Sequence, residues 1–112
     1  MKKIEAVIRP ERLQEVMEAL RALSYPGLTV TEVRGHGTQM GVVHMWRGAE
    51  YRVDLLPKLK VEVVVLDGDT EKVVKAVSDA ARTGSIGDGK IFISHVEDAI
   101  RVRTRESGSE AI

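Results

Sequence analysis

The amino-acid sequence predicts an α+β protein, a ferredoxin-like βαββαβ sandwich with a long loop between its second and third strands. Strand-like segments, with alternating apolar residues or β-branched residues, are separated by two segments with helical periodicity. Their order along the chain is β-α-β, a long gap, β-α-β and a short final strand. Two βαβ units of this size form a two-layer sandwich.

The first half of the chain contains two predicted strands and one helix. An N-terminal segment with alternating apolar residues ends at Pro10 and predicts the first strand. Segment 11–23 has its apolar residues on one stripe of a helix. Segment 28–33 is rich in β-branched residues and predicts the second strand.

The second half repeats this order. Apolar segment 58–66 predicts the third strand, and segment 71–82 has a helical pattern of apolar residues. Asp69 or Thr70 is expected to cap this helix with its side-chain oxygen. A short strand is predicted at 91–94, and a last one at 99–103.

Composition excludes several classes of protein. The chain has 112 residues, and its 17 basic residues balance 17 acidic ones, so no global field favours nucleic acid or an anionic membrane. The absence of cysteine excludes disulfides and a thiol nucleophile. The three histidines lack metal-ligand spacing, and no signal peptide or membrane-spanning apolar run is recognisable. We therefore expect a single-domain protein of the cytoplasm. No nucleophile–base pair is recognisable in the sequence, so we do not expect an enzyme.

The gap at residues 35–57 is the first candidate for function. Unstructured loops of this length are uncommon in compact domains and are often functional. This one contains the only tryptophan, Trp46, and one of two tyrosines, Tyr51. Such side chains on a loop are typical of a segment that binds a partner. A β-hairpin that extends the sheet is the alternative.

A glycine-rich segment at 84–89, followed by Lys90, is the second candidate. Glycines allow successive backbone N–H groups to converge on an anion, and a lysine adds positive charge. The segment follows a helix and precedes a strand, unlike a Walker A loop, which follows a strand. A glycine that ends the helix and begins a turn would explain the same residues.

Arg101 and Arg103 are two positions apart in a predicted strand, so both guanidinium groups would project from one face. Arginine binds phosphate through paired hydrogen bonds. A solvated strand edge is the alternative. Together with Lys90, these residues favour a pocket for a polyphosphate.

These residues resemble the PII nitrogen-regulatory signal transduction family over essentially the whole chain. Segment 46–51, Trp-Arg-Gly-Ala-Glu-Tyr, is similar to the tyrosine-bearing loop apex of that family. Segment 83–93, Thr-Gly-Ser-Ile-Gly-Asp-Gly-Lys-Ile-Phe-Ile, matches its nucleotide-loop signature. The C-terminal residues 101–104 and 110–112 are also similar.

The resemblance implies one PII-type domain, residues 1–112, that forms a homotrimer and binds ATP or ADP in three clefts between neighbouring subunits. It implies an effector loop at about 37–55, a nucleotide loop at 82–90 and a C-terminal segment at 101–112. The residues that it assigns to nucleotide binding are Thr29, Gly37, Thr38, Gln39, Glu62, Val64, Gly87, Asp88, Gly89, Lys90, Arg101 and Arg103.

The resemblance also implies that 2-oxoglutarate binds together with Mg-ATP. Gln39 would be a Mg²⁺ ligand, and Gln39, Lys58 and Gly87 would contact 2-oxoglutarate. The long loop would regulate an ammonium transporter or nitrogen-metabolism enzymes, and Tyr51 would be its modification site. Such a protein contacts no nucleic acid directly and reaches the membrane only through a protein partner.

Five positions depart from the usual PII pattern. His36 replaces a common phenylalanine, and Trp46 a usual tyrosine. Thr38 replaces an arginine, Met40 a common lysine and Ala49 a serine that certain relatives phosphorylate. The substitution at Thr38 removes an expected contact to the terminal phosphate.

Two other functional classes are compatible with a sandwich of this kind. A phosphotransferase or ATPase requires a positioned nucleophile or base, and none is evident in the sequence. An RNA-binding sheet requires surface aromatic residues in its strands, whereas the four aromatic residues lie mostly outside the sheet centre.

Overall fold

The computed structural model describes residues 1–36, 42–46, 49–53 and 55–112, with side chains described for 1–36 and 55–112. It confirms the α+β class and the ferredoxin-like architecture. The strands and helices are β1 (Lys2–Ile8), α1 (Leu13–Ala22), β2 (Thr29–Gly35), β3 (Val42–Trp46), β4 (Ala49–Val53), β5 (Leu56–Val65), α2 (Thr70–Ala81) and β6 (Gly89–His95). Short 3-10 helices occupy Pro10–Arg12, Asp67–Asp69 and Gly108–Ala111.

Four strands form one antiparallel sheet in the order β2-β5-β1-β6. In its register, Ile4 lies opposite Val63 on one side and Ile93 on the other. Because side chains alternate between the two faces of a strand, this register places apolar residues of β1 and β5 on the same face.

Both helices cover that apolar face. The period of 3.6 residues brings Val16 and Leu20 of α1 inward, and likewise Val73 and Val77 of α2. The buried core comprises Ile4, Ala6, Ile8, Val16, Leu20, Val61, Val63, Val65, Val73, Val77 and Ala81. The opposite face of the sheet carries no helix in the described part of the chain.

The predicted long loop contains a β-hairpin. β3 and β4 pair with each other in antiparallel register, with Trp46 opposite Ala49, and form a separate two-stranded sheet. A hairpin is therefore present, but it does not extend the four-stranded sheet as the alternative proposed. β5 also begins at Leu56, earlier than predicted.

The predicted last strand at 99–103 is wrong. Only an isolated bridge joins Ile100 to Ser107, and Val102 is 93% exposed. The chain reverses because Arg105 adopts a left-handed backbone conformation, φ 64°. The amide of Arg101 then donates to the carbonyl of Glu106, so the segment pairs with itself.

The predicted side-chain cap of α2 is also wrong. Asp69 precedes the helix, but its side chain makes no capping hydrogen bond. Its carboxylate instead accepts a hydrogen bond from the Tyr25 hydroxyl and pairs with Lys72 at 3.0 Å. These bonds hold the pKa of Asp69 below its ordinary value. The Thr70 hydroxyl donates to the carbonyl oxygen of Leu66, whereas a cap would accept a hydrogen bond from a backbone amide of the helix.

Among the described residues, no helix has the length and apolar character that crossing a membrane requires.

Replacing a core residue should destabilise the fold far more than replacing an exposed one. Leu20 is fully buried, so Leu20→Ala should lower the free energy of unfolding by about 2–5 kcal/mol. The control Val102→Ala, at an exposed position, should change it by less than about 0.5 kcal/mol. Urea unfolding at one protein concentration measures both. Equal midpoints for the two variants would contradict this assignment of the core.

Candidate functional site

The glycine-rich segment forms the turn between α2 and β6. Gly84, Gly87 and Gly89 have φ values of 92°, 100° and 110°, which residues with side chains rarely adopt. At Gly89 an added Cβ atom would lie 1.7 Å from the carbonyl oxygen of Val7. The glycine pattern therefore reflects a tight turn and a close approach of β6 to β1.

Asp88 organises this turn from within. Its Oδ2 atom accepts hydrogen bonds of 2.8 Å from the backbone amides of Thr83 and Gly84. Its Oδ1 atom accepts from the Thr83 hydroxyl and, at 3.0 Å, from Nε of Arg9. These bonds hold the pKa of Asp88 far below its ordinary value, and the bond from the Thr83 hydroxyl has the largest effect.

Arg9 joins the turn to the end of β1. Besides its bond to Asp88, its Nη2 atom donates to the carbonyl oxygen of Ile86 at 2.8 Å. Arg9 was not predicted from the sequence to be a site residue. Its only signal was a charged residue between the first predicted strand and Pro10, which does not indicate a partner 79 positions away.

Lys58 approaches the same turn from β5. Its side chain is buried, 7% exposed, and its Nζ atom donates to the carbonyl oxygen of Gly87 at 2.5 Å. Burial lowers the pKa of the Lys58 amine, and the charge of Arg9 lowers it further, against the opposing influence of Glu11 and Asp88. A buried cation is therefore available where β5 meets the glycine turn.

A groove of about 450 Å³ opens beside Lys58. Its lining confirms that the sequence-predicted residues of the glycine turn and Lys58 are close together in space. The lining residues are Val7, Gly35, His36, Lys58, Ser85, Gly87, Asp88, Gly89, Lys90 and Phe92. We call this space the lysine groove.

Three other predicted residues lie in a second groove. Thr29 and Glu62 are opposite each other in the β2–β5 register, and Val64 is two positions farther along β5. They line a space of about 350 Å³ together with Lys3, Ser24, Tyr25, Pro26, Gly27, Val63, Ala111 and Ile112. We call it the C-terminal groove. Among the residues whose side chains are described, it shares no lining residue with the lysine groove.

Arg101 and Arg103 do not project from a strand, which corrects the sequence-based prediction. Arg101 donates to the Glu106 carboxylate at 3.2 Å and to the carbonyl oxygen of Glu110 at 3.1 Å. Arg103 is exposed in the turn that follows. Neither arginine lines the lysine groove or the C-terminal groove.

Several predicted site residues lie outside the described residues. Gly37, Thr38 and Gln39, including the expected Mg²⁺ ligand, belong to this group. Tyr51 belongs to β4, where the backbone is described but the side chain is not. The roles predicted for these residues stay predictions.

Comparisons with known proteins agree with the resemblance. The chain matches the family Nitrogen regulatory protein P-II over residues 1–106. It is 57% identical to Nitrogen regulatory protein P-II of Rhizobium meliloti over 112 residues, 100% of both chains. It is 55% identical to Nitrogen regulatory protein P-II 2 of Methanothermobacter thermautotrophicus, covering 100% of this chain and 97% of that relative.

These similarities place the chain in a class of signalling regulators. Within that class, it belongs to the Nitrogen regulatory protein P-II family.

Replacing Gly89 should disrupt the site because no side chain fits there. Gly89→Ala would place a methyl group against the Val7 carbonyl, so the β1–β6 pairing at this end must open. Gly68→Ala is the matched control, since an added Cβ atom there has nothing within 4 Å. Amide hydrogen exchange should show faster exchange at the start of β6 only in Gly89→Ala. Unchanged exchange in that variant would contradict the close approach.

Proposed function

We propose that this chain senses adenine nucleotides and 2-oxoglutarate as a homotrimer, and regulates a partner protein through the segment at 37–55. The observation that carries the proposal is the lysine groove, where buried Lys58 meets the turn containing Gly87, Gly89 and Lys90. Backbone amides of such a turn, together with two lysines, suit an anion. ATP or ADP would supply the phosphates.

Division of the predicted residues between two grooves supports binding between neighbouring subunits. Lys58 and Glu62 both belong to β5, where a spacing of four positions corresponds to about 13 Å along the strand. A cleft between two copies would bring the lysine groove of one subunit to the C-terminal groove of the next. Phosphates would then lie against Lys90 and the glycine turn, and the base and ribose near Thr29, Glu62 and Val64. Arg101 and Arg103 would reach the phosphates from the second subunit.

The uncovered face of the sheet also supports assembly. Phe92 lies on β6 opposite Glu5 of β1, and it is 53% exposed. Glu5 and Lys3 form a weak pair of 3.9 Å on the same face. A sheet face that carries an exposed aromatic residue and, among the described elements, no covering helix is available to another copy of the chain. We propose that three such faces meet in the homotrimer.

The described groove residues fit an anionic effector beside the nucleotide. The Lys58 amine has three donor hydrogens, and Gly87 is its acceptor among the described residues. Lys58 and Gly87 would therefore contact 2-oxoglutarate, with the amine bound to a carboxylate. Gln39 would hold Mg²⁺ through its amide oxygen, as hard oxygen ligands suit that ion. The ion would supply positive charge between phosphate and keto acid.

Coupling to the loop would follow from differential affinity. Gln39, at the start of the segment, would bind Mg²⁺ only when Mg-ATP and 2-oxoglutarate are both present. Both ligands would then favour one loop conformation, and ADP would favour another. The linkage must be reciprocal, so the partner protein would alter ligand affinity in return. Uridylylation or adenylylation of Tyr51 would add negative charge and bulk and disrupt docking.

We propose an ammonium transporter or a nitrogen-metabolism enzyme as the partner. The protein would act in the cytoplasm, reach the membrane only through that transporter, and contact no nucleic acid directly. It would not be an enzyme. Sustained phosphate release from ATP would instead favour the ATPase alternative.

Titration calorimetry should show that 2-oxoglutarate binds only when Mg-ATP is present. Replacing ATP by ADP should abolish the binding. ADP lacks the terminal phosphate that would help to hold the Mg²⁺ ion to which the keto acid binds. Equal affinity with ATP, with ADP and without nucleotide would contradict the proposed mechanism. A wild-type protein that binds neither nucleotide would contradict the entire proposal.

Lys58→Ala should weaken 2-oxoglutarate binding by roughly tenfold or more, to the point of loss, because it deletes a charged hydrogen-bond donor. Most of the ATP affinity should remain. Lys75→Ala is the control: Lys75 is an exposed lysine of α2 that pairs with Asp79 at 2.7 Å and lines neither groove. Calorimetry with Mg-ATP measures both variants. Loss of binding in both, or in neither, would exclude a specific role for Lys58.

A further inference from the structure

We propose that Arg9 is a positioning residue for the nucleotide loop and that it acts through Asp88 rather than by contacting phosphate. This inference rests on the nucleotide binding proposed above. Its structural part, the ordering of residues 83–88 by Arg9, can be tested without nucleotide.

The Arg9 guanidinium bridges two residues of the turn. One edge donates to the Asp88 carboxylate at 3.0 Å and another to the carbonyl oxygen of Ile86 at 2.8 Å. Arg9 and Asp88 are only 21% and 23% exposed, so solvent competes less with this pair than with a surface pair. A planar guanidinium that makes two bonds restricts position and orientation together.

Asp88 extends this restraint to the start of the turn. One of its oxygens accepts a hydrogen bond from Arg9, and the other accepts hydrogen bonds from the backbone amides of Thr83 and Gly84. The carboxylate therefore connects Arg9 at the end of β1 to the residues that immediately follow α2. Its low pKa keeps it ionised, and hence an acceptor, at neutral pH.

This bonding argues against phosphate binding by the side chain of Asp88, whose place among the nucleotide-binding residues stays a prediction. An ionised carboxylate has no hydrogen to donate, and its charge repels phosphate. Asp88 is better explained as the anion around which the turn folds. Any contribution of position 88 to phosphate binding would therefore come from its backbone amide and not from its side chain.

Arg9 is needed because Lys58 holds the turn by a bond that an effector would disturb. Lys58 donates to the carbonyl of Gly87, between the two residues that Arg9 binds. A carboxylate that binds the same amine through another of its hydrogens would draw Lys58 towards itself and strain this bond. Arg9 would keep Ile86 and Asp88 in position while Lys58 shifts towards the effector. Phosphate and keto acid could then bind together without loosening the nucleotide loop.

Arg12 provides a matched control. It lies three residues after Arg9 in the sequence, and its guanidinium also binds a backbone carbonyl. Its Nε and Nη2 atoms donate to Ala80 at 2.9 and 2.7 Å. Arg12 thus stabilises the end of α2 and contacts no residue of the 83–88 turn through these bonds. Loss of either arginine removes similar interactions, but only Arg9 holds the loop.

Hydrogen exchange of the full-length protein without nucleotide tests the structural part. In Arg9→Met, the amides of Thr83 and Gly84 should exchange at least severalfold faster, while those in the middle of β6 should be unchanged. Arg12→Met should leave the 83–84 amides as in the wild type. Arg9→Lys retains the charge and should give an intermediate result. Wild-type exchange at 83–84 in Arg9→Met would overturn the proposal, whether or not the protein binds nucleotide.

ADP titration by calorimetry tests the functional part. Arg9→Met and Asp88→Asn should each weaken ADP binding by roughly tenfold, as expected for loss of a charged hydrogen bond. The double variant should bind ADP no more than about twofold more weakly than the weaker-binding single variant. The losses should not add, because both substitutions break the same connection between Arg9 and Asp88. Arg12→Met should bind like the wild type.

The outcomes separate this inference from the proposed function. Equal ADP affinity in Arg9→Met and wild type would overturn the positioning role, and so would fully additive losses in the double variant. If the wild type binds no adenine nucleotide, the proposed function fails. Hydrogen exchange still decides whether Arg9 orders the turn. If Arg9→Met does not fold, Arg9→Lys and Asp88→Asn provide the same comparison.

Discussion

The close approach of β6 to β1 at Gly89 is the constraint on which the site depends. Because Gly89 lacks a side chain, its backbone reaches the carbonyl of Val7. This contact fixes where the turn from α2 enters the sheet. Lys58 on β5 and Arg9 at the end of β1 then meet the turn from two sides. The core supports this arrangement, since β1 is paired along its length with both β5 and β6.

Periodicity predicted the fold because most elements have one buried face. α1 and α2 show their apolar stripes in the sequence, and β1 alternates clearly. The predicted strand at 99–103 failed for a physical reason: alternating apolar and charged residues also suit an exposed segment that turns back on itself. The reversal depends on the left-handed conformation of Arg105, which is not a residue type that indicates such a turn.

Part of the site could be predicted and part could not. Glycine spacing and Lys90 indicated the turn, because few residue types tolerate that backbone. Lys58 came from the family resemblance, and its burial beneath the turn required the folded chain. Arg9 was missed because a charged residue at a strand end has no distinctive pattern. For Asp88, the residue was identified, but its bonds show an organising role that sequence alone does not reveal.

β5 connects several of these features because it is an inner strand and carries residues of both grooves. Its residues alternate between the helix-covered core, as at Val61 and Val63, and the other face, as at Lys60 and Glu62. Removing one residue from its middle would reverse that alternation for everything beyond the deletion. Either charged groups would then enter the core or the two grooves would lose their relative spacing. Evolution of this strand can therefore proceed by exchange of side chains much more readily than by change of length.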